Sequence, residues 1–188
     1  MCKGGKIVEK VGLVIGKIQS IIGAIAIVVV LGVVAVAFLI PKTIKDNKEF
    51  FKLTVAAKYN FKENTAVTEG ESTKSLGVYD EKSGIYISGN AYEMPEKDFQ
   101  ELIKEDKDTY TEGATSVSEI TKREISGTEA YYYSFEYVDS NEVPYYMEVN
   151  FIKTEKGLYN IDIECKTEDK DKYVKEFDKI LKTFKELD

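Results

Sequence analysis

The apolar positions change rhythm near residue 40. Residues 21–40, IIGAIAIVVVLGVVAVAFLI, form an unbroken run without a charged or strongly polar side chain. Twenty helical residues reach about 30 Å, the thickness of a bilayer's hydrocarbon core. A helix also satisfies its own backbone amides in lipid. The run therefore predicts a single transmembrane helix over 18–41, after a basic leader at 1–17 and before a linker at 42–49. From 50 to 188 alternation replaces the run and predicts a separate domain. Leu76 and Val78 share a face with Ile85 and Ile87, which predicts a hairpin with an even-length loop such as 80–83. Pro95, Glu96 and Asp98 suit the start of a helix. Its apolar stripe is Phe99, Leu102, Ile103 and Tyr110, with Gly113 as the expected cap.

Four strands are expected next, over 115–125, 130–138, 144–154 and 158–165. The segment AYYYSFEY places Tyr131, Tyr133, Phe135 and Tyr137 at alternate positions, matching Tyr145, Met147, Val149 and Phe151 on the following strand. A three-residue loop, 155–157, with a left-handed Gly157 would put Tyr159, Ile161, Ile163 and Cys165 on that same face. Such a contiguous apolar face is a core, so the aromatic strand is expected to point inward and not to form a stacking platform. A C-terminal helix follows from Tyr173, Val174, Phe177, Ile180, Leu181, Phe184 and Leu187. Two helices must cover sheet surface. The fold expected is α+β: one N-terminal transmembrane helix, then an α/β/α sandwich whose mainly antiparallel sheet has about six strands.

Charge divides the chain at the same place. Residues 1–42 hold five Lys and one Glu, whereas the remainder holds 21 basic and 32 acidic residues. So acidic a domain disfavours nucleic acid as a partner, because a phosphate backbone is bound through clustered Lys and Arg. Lys3, Lys6, Lys10 and Lys17 precede the apolar run; Lys42, Lys45, Lys48 and Lys52 follow it. The lysine count is thus a tie, and the short leader ahead of a large C-terminal domain decides the orientation. The N-terminus is expected in the cytoplasm and the domain outside the cell membrane. Ala35, Val36 and Ala37 keep a cleaved signal peptide open as the alternative. Gly12, Gly16, Ser20 and Ala24 recur every four residues, a small-residue stripe that would let two such helices associate as a weak homodimer. The same spacing also arises by chance in helices rich in Gly and Ala.

The stretch ISGTEAYYYSFEY, followed by a polar turn, two more strands and a terminal ILKTFKEL, resembles the PsbP-like family. The matching positions are Ile125, Gly127, Ala130, Tyr133, Phe135, Ile180 and Phe184, within a likeness covering about 50–187. The resemblance implies an α/β/α sandwich around an antiparallel sheet, and a binding or assembly role in place of catalysis. The family's Tyr-Pro pair and Trp near the first strand are absent here, where KYNFKE carries Tyr59 alone.

Candidate chemistry is sparse. The chain has no His, which removes the commonest general base and a frequent metal ligand. Its two cysteines, Cys2 and Cys165, would lie on opposite sides of a membrane, so no disulfide framework is expected. The acidic turns lack the D-x-D-x-D-G spacing of a calcium loop. The mixed even-numbered face offers Tyr132, Glu136, Tyr146, Glu148, Asp162 and Glu164 as candidate surface-binding residues, because clustered carboxylates shift pKa or bind cations. An exposed polar face explains the same pattern. The expected function is a membrane-anchored, non-enzymatic module that engages a protein partner, with no cofactor. A small-ligand or cation sensor using the acidic, tyrosine-bearing sheet face is the alternative.

Overall fold

Alternation over half of the chain asks for strands, and a computed structural model describes residues 40–45, 50–63, 74–92 and 98–187. The expected leader and membrane-spanning helix, with Gly12, Gly16, Ser20 and Ala24, lie outside the described residues up to position 39. Among the described residues no helix is long and apolar enough to cross a membrane. The element order is β1 (Lys42–Lys45), β2 (Phe51–Val55), β3 (Lys62–Glu63), β4 (Lys74–Asp80), β5 (Ile85–Tyr92), α1 (Phe99–Tyr110), β6 (Ser116–Val117), β7 (Thr121–Ile125), β8 (Thr128–Val138), β9 (Pro144–Lys153), β10 (Leu158–Lys166), α2 (Lys170–Leu181) and β11 (Lys185–Glu186).

The architecture is mixed α+β, with an antiparallel main sheet and two helices. The main sheet has eight strands in the order β3-β4-β5-β10-β9-β8-β6, with β7 also paired to β8. About six were expected. The excess of two arises because 115–125 breaks into β6 and β7 and because the two-residue β3 adds an edge strand beside β4. Between them the Ser118 amide donates to the Ser134 carbonyl at 2.8 Å and its hydroxyl accepts from the Ser134 amide at 2.8 Å. A second small sheet, β1-β2-β11, uses Lys42–Lys45, part of the expected linker.

Both helices are set by their ends. The Asp98 carboxylate accepts from the amides of Gln100 and Glu101 at 3.0 and 3.2 Å, capping α1. Pro95, expected at this start, lies outside the described residues. At the other end of α1, Thr111 donates from both amide and hydroxyl to the Lys107 carbonyl, so Thr111, not Gly113, closes the helix. Helix α2 stops at Leu181, short of the expected Leu187. The Thr183 hydroxyl donates to the Ile180 carbonyl at 2.6 Å and accepts from the Thr54 amide at 2.7 Å. This turns the chain so that Phe184 is buried and β11 joins β2.

Register decides which residues meet. Strands β4 and β5 pair Val78 with Ile87 and Asp80 with Ile85, an even-length loop as the alternation predicts. Strands β8 and β9 pair odd to odd, Tyr133 opposite Val149 and Phe135 opposite Met147. Tyr133 is fully buried and Phe135 nearly so, with ring centroids 6.2 Å apart. The aromatic strand is therefore core filling.

Strand β10 departs from expectation. The Thr154 amide donates to the Gly157 carbonyl at 3.0 Å, and the Thr154 hydroxyl accepts from the amides of Lys156 and Gly157. These bonds close a four-residue loop, 154–157, in place of a three-residue one. Lys153 then faces Leu158, Phe151 faces Asn160 and Val149 faces Asp162. A slip of one residue moves every side chain to the opposite face. Tyr159, Ile161, Ile163 and Cys165 thus share a face with Ile152, not with Tyr133. Gly157 is needed for proximity and not for a left-handed turn: a β-carbon there would stand 2.5 Å from the Tyr92 carbonyl oxygen at the end of β5.

Each helix covers one face of the sheet. On one side Ile103 of α1 packs with Tyr133, Phe135, Val149, Phe151 and Leu158. On the other, Tyr173, Phe177, Ile180 and Leu181 of α2, with Phe51, Leu53 and Val55 of β2, cover Ile87, Ile161, Ile163 and Cys165. Side chains buried this fully contribute about 1.5–3 kcal/mol each. Gly89 makes room for the second layer, since a β-carbon there would stand 2.8 Å from the Phe51 ring.

Candidate ligand cavity

The register of β10 splits the carboxylates that the sequence groups together. Tyr132, Glu136, Tyr146 and Glu148 lie on the α2 side of the sheet, while Asp162 and Glu164 lie on the α1 side. The first set is engaged within itself. Arg123 bonds Glu148 at 2.6 Å and stacks 4.3 Å from the centre of the Tyr132 ring. Lys170 bonds Glu136 at 2.8 Å and lies 4.5 Å from the centre of the Tyr146 ring. Burial raises the Glu148 carboxyl above its ordinary range although Arg123 opposes the rise. Burial also pushes the Tyr146 phenol up to about 12. Each carboxylate of this set has a cationic partner, which suits a structural network.

The α1 side is different. The register places Asn160, Asp162 and Glu164 beside Phe151, Val149 and Met147, and opposite Asn90, Ser88 and Tyr86 of β5. Helix α1 covers the β8–β9 part of this face and leaves a cavity of about 420 Å³ along its flank. Leu102, Phe151 and Leu158 give the cavity apolar walls; Asp106, Asn160, Tyr92 and Tyr110 give it polar groups. Tyr92 and Tyr110 are 42% and 56% exposed, so their rings form an open rim. A second hollow, of about 310 Å³, lies further along β5 and β10 and includes Tyr86, Tyr145, Glu164 and Lys166.

Three carboxyls lie along this side, and no described basic group forms an ion pair with them. Asp106 accepts from the Tyr133 hydroxyl at 2.6 Å. Asp162, nearly buried, accepts from the Asn160 amide nitrogen at 3.0 Å, with the Ser88 hydroxyl at 3.4 Å. Glu164 accepts from the Tyr137 hydroxyl at 2.6 Å. Desolvation raises all three carboxyls, and Asp162 reaches about 7, with the neighbouring Asp106 charge adding to the effect. Burial and the Asp106 contact together also raise the Tyr133 phenol. Their donors are neutral hydroxyl and amide groups, so no cation offsets the desolvation of these carboxyls. Among the described residues no set of three metal-ligating side chains is placed to hold an ion.

Asp106, Asn160, Tyr92 and Tyr110 were not among the candidate binding residues picked from the sequence, where Tyr110 was assigned to the apolar stripe of α1. Asp106 did carry a signal: it falls at the seventh position after Phe99, inside the apolar stripe of α1, where a carboxylate has no reason to be unless something polar faces it. Asn160 could be placed only once the loop length was known.

A wider depression of about 800 Å³ lies at the sheet end formed by 126–129, 153–156 and 184–186. There Glu186 already accepts from Thr154 at 2.7 Å and Tyr159 at 2.5 Å, so its carboxylate is committed to holding β11 in place.

No family model matches the sequence, and no curated protein matches it either. Solved structures do match. Cyanobacterial PsbP (CyanoP) from Synechocystis sp. PCC 6803 superposes with a TM-score of 0.56 at 14% identity, over 79% of this chain and 94% of that one. The domain has the PsbP-like fold. A protein from Bacteroides thetaiotaomicron superposes with a TM-score of 0.54 at 13% identity, over 78% of this chain and 48% of that one. The chain thus spans about half the length of the Bacteroides protein. At these identities the likeness concerns fold alone.

Proposed function

We propose that the chain is a non-catalytic binding or assembly module, carried on the bilayer by the 18–41 segment, displayed outside the cytoplasmic membrane and engaging a protein partner. The apolar run and the acidic domain support the anchor and its partner chemistry; the PsbP-like fold supports a binding role. The absence of His from the sequence supports a non-enzymatic reading. So does Cys165, whose thiol is buried and pushed up to about 12, far from a reactive thiolate. The observation that carries the reading is the flank of α1, where apolar walls, a carboxylate without an ion-pair partner and two open tyrosines converge. A photo-reactive benzoylphenylalanine at Tyr110, on that rim, in the full chain is expected to give a discrete protein adduct in intact cells. Protease added to those cells should remove the domain. A domain digested only after lysis would refute the display, and the absence of any adduct would refute the protein partner.

The cavity itself favours a second reading, a small-ligand sensor. Its volume lies within the ~300–1,000 Å³ of ordinary ligand sites, and its polar groups point to one chemistry, developed next.

A further inference from the structure

The small-ligand reading of the α1 flank can be made specific. We propose that the cavity binds a small organic cation, an ammonium group on a short apolar body, with the ammonium held between Asp106 and the rings of Tyr92 and Tyr110. The inference rests on the cavity being a ligand site and adds the chemical class of the ligand.

The argument begins with charge. Asp106 lines the cavity, and its one hydrogen-bond donor in the structure is a neutral phenol, Tyr133. Desolvating a carboxylate without a cationic partner is costly. A bound cation would supply that partner. No described Lys or Arg forms an ion pair with Asp106 or with Asp162 behind it. The walls argue for the class of cation. Two tyrosine rings stand open at the rim, and aromatic faces attract ammonium groups by about 0.5–1 kcal/mol at exposed sites and more when desolvated. Leu102, Phe151 and Leu158 offer apolar surface to a carbon body but nothing to a hydrated metal ion. A bare divalent cation would need several oxygens converging on one point, and the described residues do not provide them. Asn160 offers a further amide at the wall, while its nitrogen is already given to Asp162. Its carbonyl oxygen is an acceptor that a donor-bearing cation can use.

The test uses the full chain in a neutral maltoside, titrated calorimetrically with butylammonium, butanol and butyrate, three probes of one size and different charge. Butylammonium is expected to bind at least about tenfold more tightly than butanol, and butyrate not to bind. Asp106→Asn keeps the volume and the Tyr133 contact but removes the charge; it should weaken butylammonium by roughly tenfold or more, matching a charged hydrogen bond. Tyr110→Ala, at a half-exposed helix end where the fold does not depend on it, should weaken butylammonium about threefold and keeps the test open if the Asp106 variant unfolds. Butanol binding as tightly as butylammonium, with both variants without effect, would overturn the cation inference and leave the cavity reading standing. No binding by any of the three probes would overturn both.

Discussion

Asp162 offers the sharpest test of the energetics. Its carboxyl is almost fully buried on the α1 side and rises from 3.8 to about 7, chiefly by desolvation. In the unfolded chain the same group titrates near its ordinary value. Between about pH 4 and pH 7 the folded chain therefore keeps a proton that the unfolded chain has released, and rising pH pulls the equilibrium towards unfolding. A rise of about three pH units corresponds to about 4 kcal/mol of stability lost across that window, order of magnitude. Asp162→Asn removes the titration and keeps the shape: its oxygen can accept from Asn160 and its nitrogen can donate to the Ser88 hydroxyl. The variant is expected to resemble the parent at pH 4 and to exceed it at pH 8 by a few kcal/mol, approaching about 4. Urea denaturation of the full chain in neutral maltoside, followed by tyrosine near-ultraviolet circular dichroism from pH 4 to pH 8, measures both curves. Asp106, Glu148 and Glu164 are raised too, so a residual slope should survive in the variant. Parallel curves, or a variant less stable than the parent at pH 8, would refute the claim that a protonatable carboxyl is buried here.

Other perturbations test other parts of the fold. Arg123→Ala strands the buried Glu148 and should cost about 3–5 kcal/mol in a denaturation series; adding Glu148→Gln should recover most of the loss. Gly157→Ala drives a β-carbon into the Tyr92 carbonyl, and overpacking of this kind should cost about 1–3 kcal/mol by thermal melting. Tyr133→Phe removes the donor to Asp106 while sparing the ring packing, and should lower stability by about 1–3 kcal/mol above pH 7. That loss should shrink as pH falls and Asp106 becomes protonated.

Much of the fold was legible in the sequence, and the limit of legibility is physical. Period-two alternation identified β5, β8, β9 and β10, and it named Tyr133 and Phe135 as buried. The helical stripe of α2 was equally plain from Tyr173 to Leu181. The segment 115–125 was less clear because a serine bend, and not hydrophobic pattern, divides it. The relation of β10 to β9 was misjudged because both faces of β10 tolerate either side: Tyr159, Ile161 and Ile163 would fill one core as well as the other. The choice falls to the Thr154 hydroxyl, which closes a four-residue loop through two amides. That single bonding pattern separates Glu136 and Glu148 from Asp162 and Glu164, and so separates the candidate residues named from the sequence. The cavity was hidden for the same reason. It needs Asn160 beside Phe151, a neighbourhood that exists only in the observed register. Gly157 was correctly singled out but for a different cause, since what matters there is the passing strand and not the local turn.

The account turns on that register, and cross-strand proton contacts in a nuclear Overhauser spectrum of the labelled full chain test it most directly. The observed pairing places Val149 opposite Asp162, so contacts between the Val149 and Asp162 backbones are expected, with Phe151 opposite Asn160. Backbone contacts pairing Val149 with Ile163 instead would restore the three-residue loop, move the carboxyls away from α1 and remove the cavity with them.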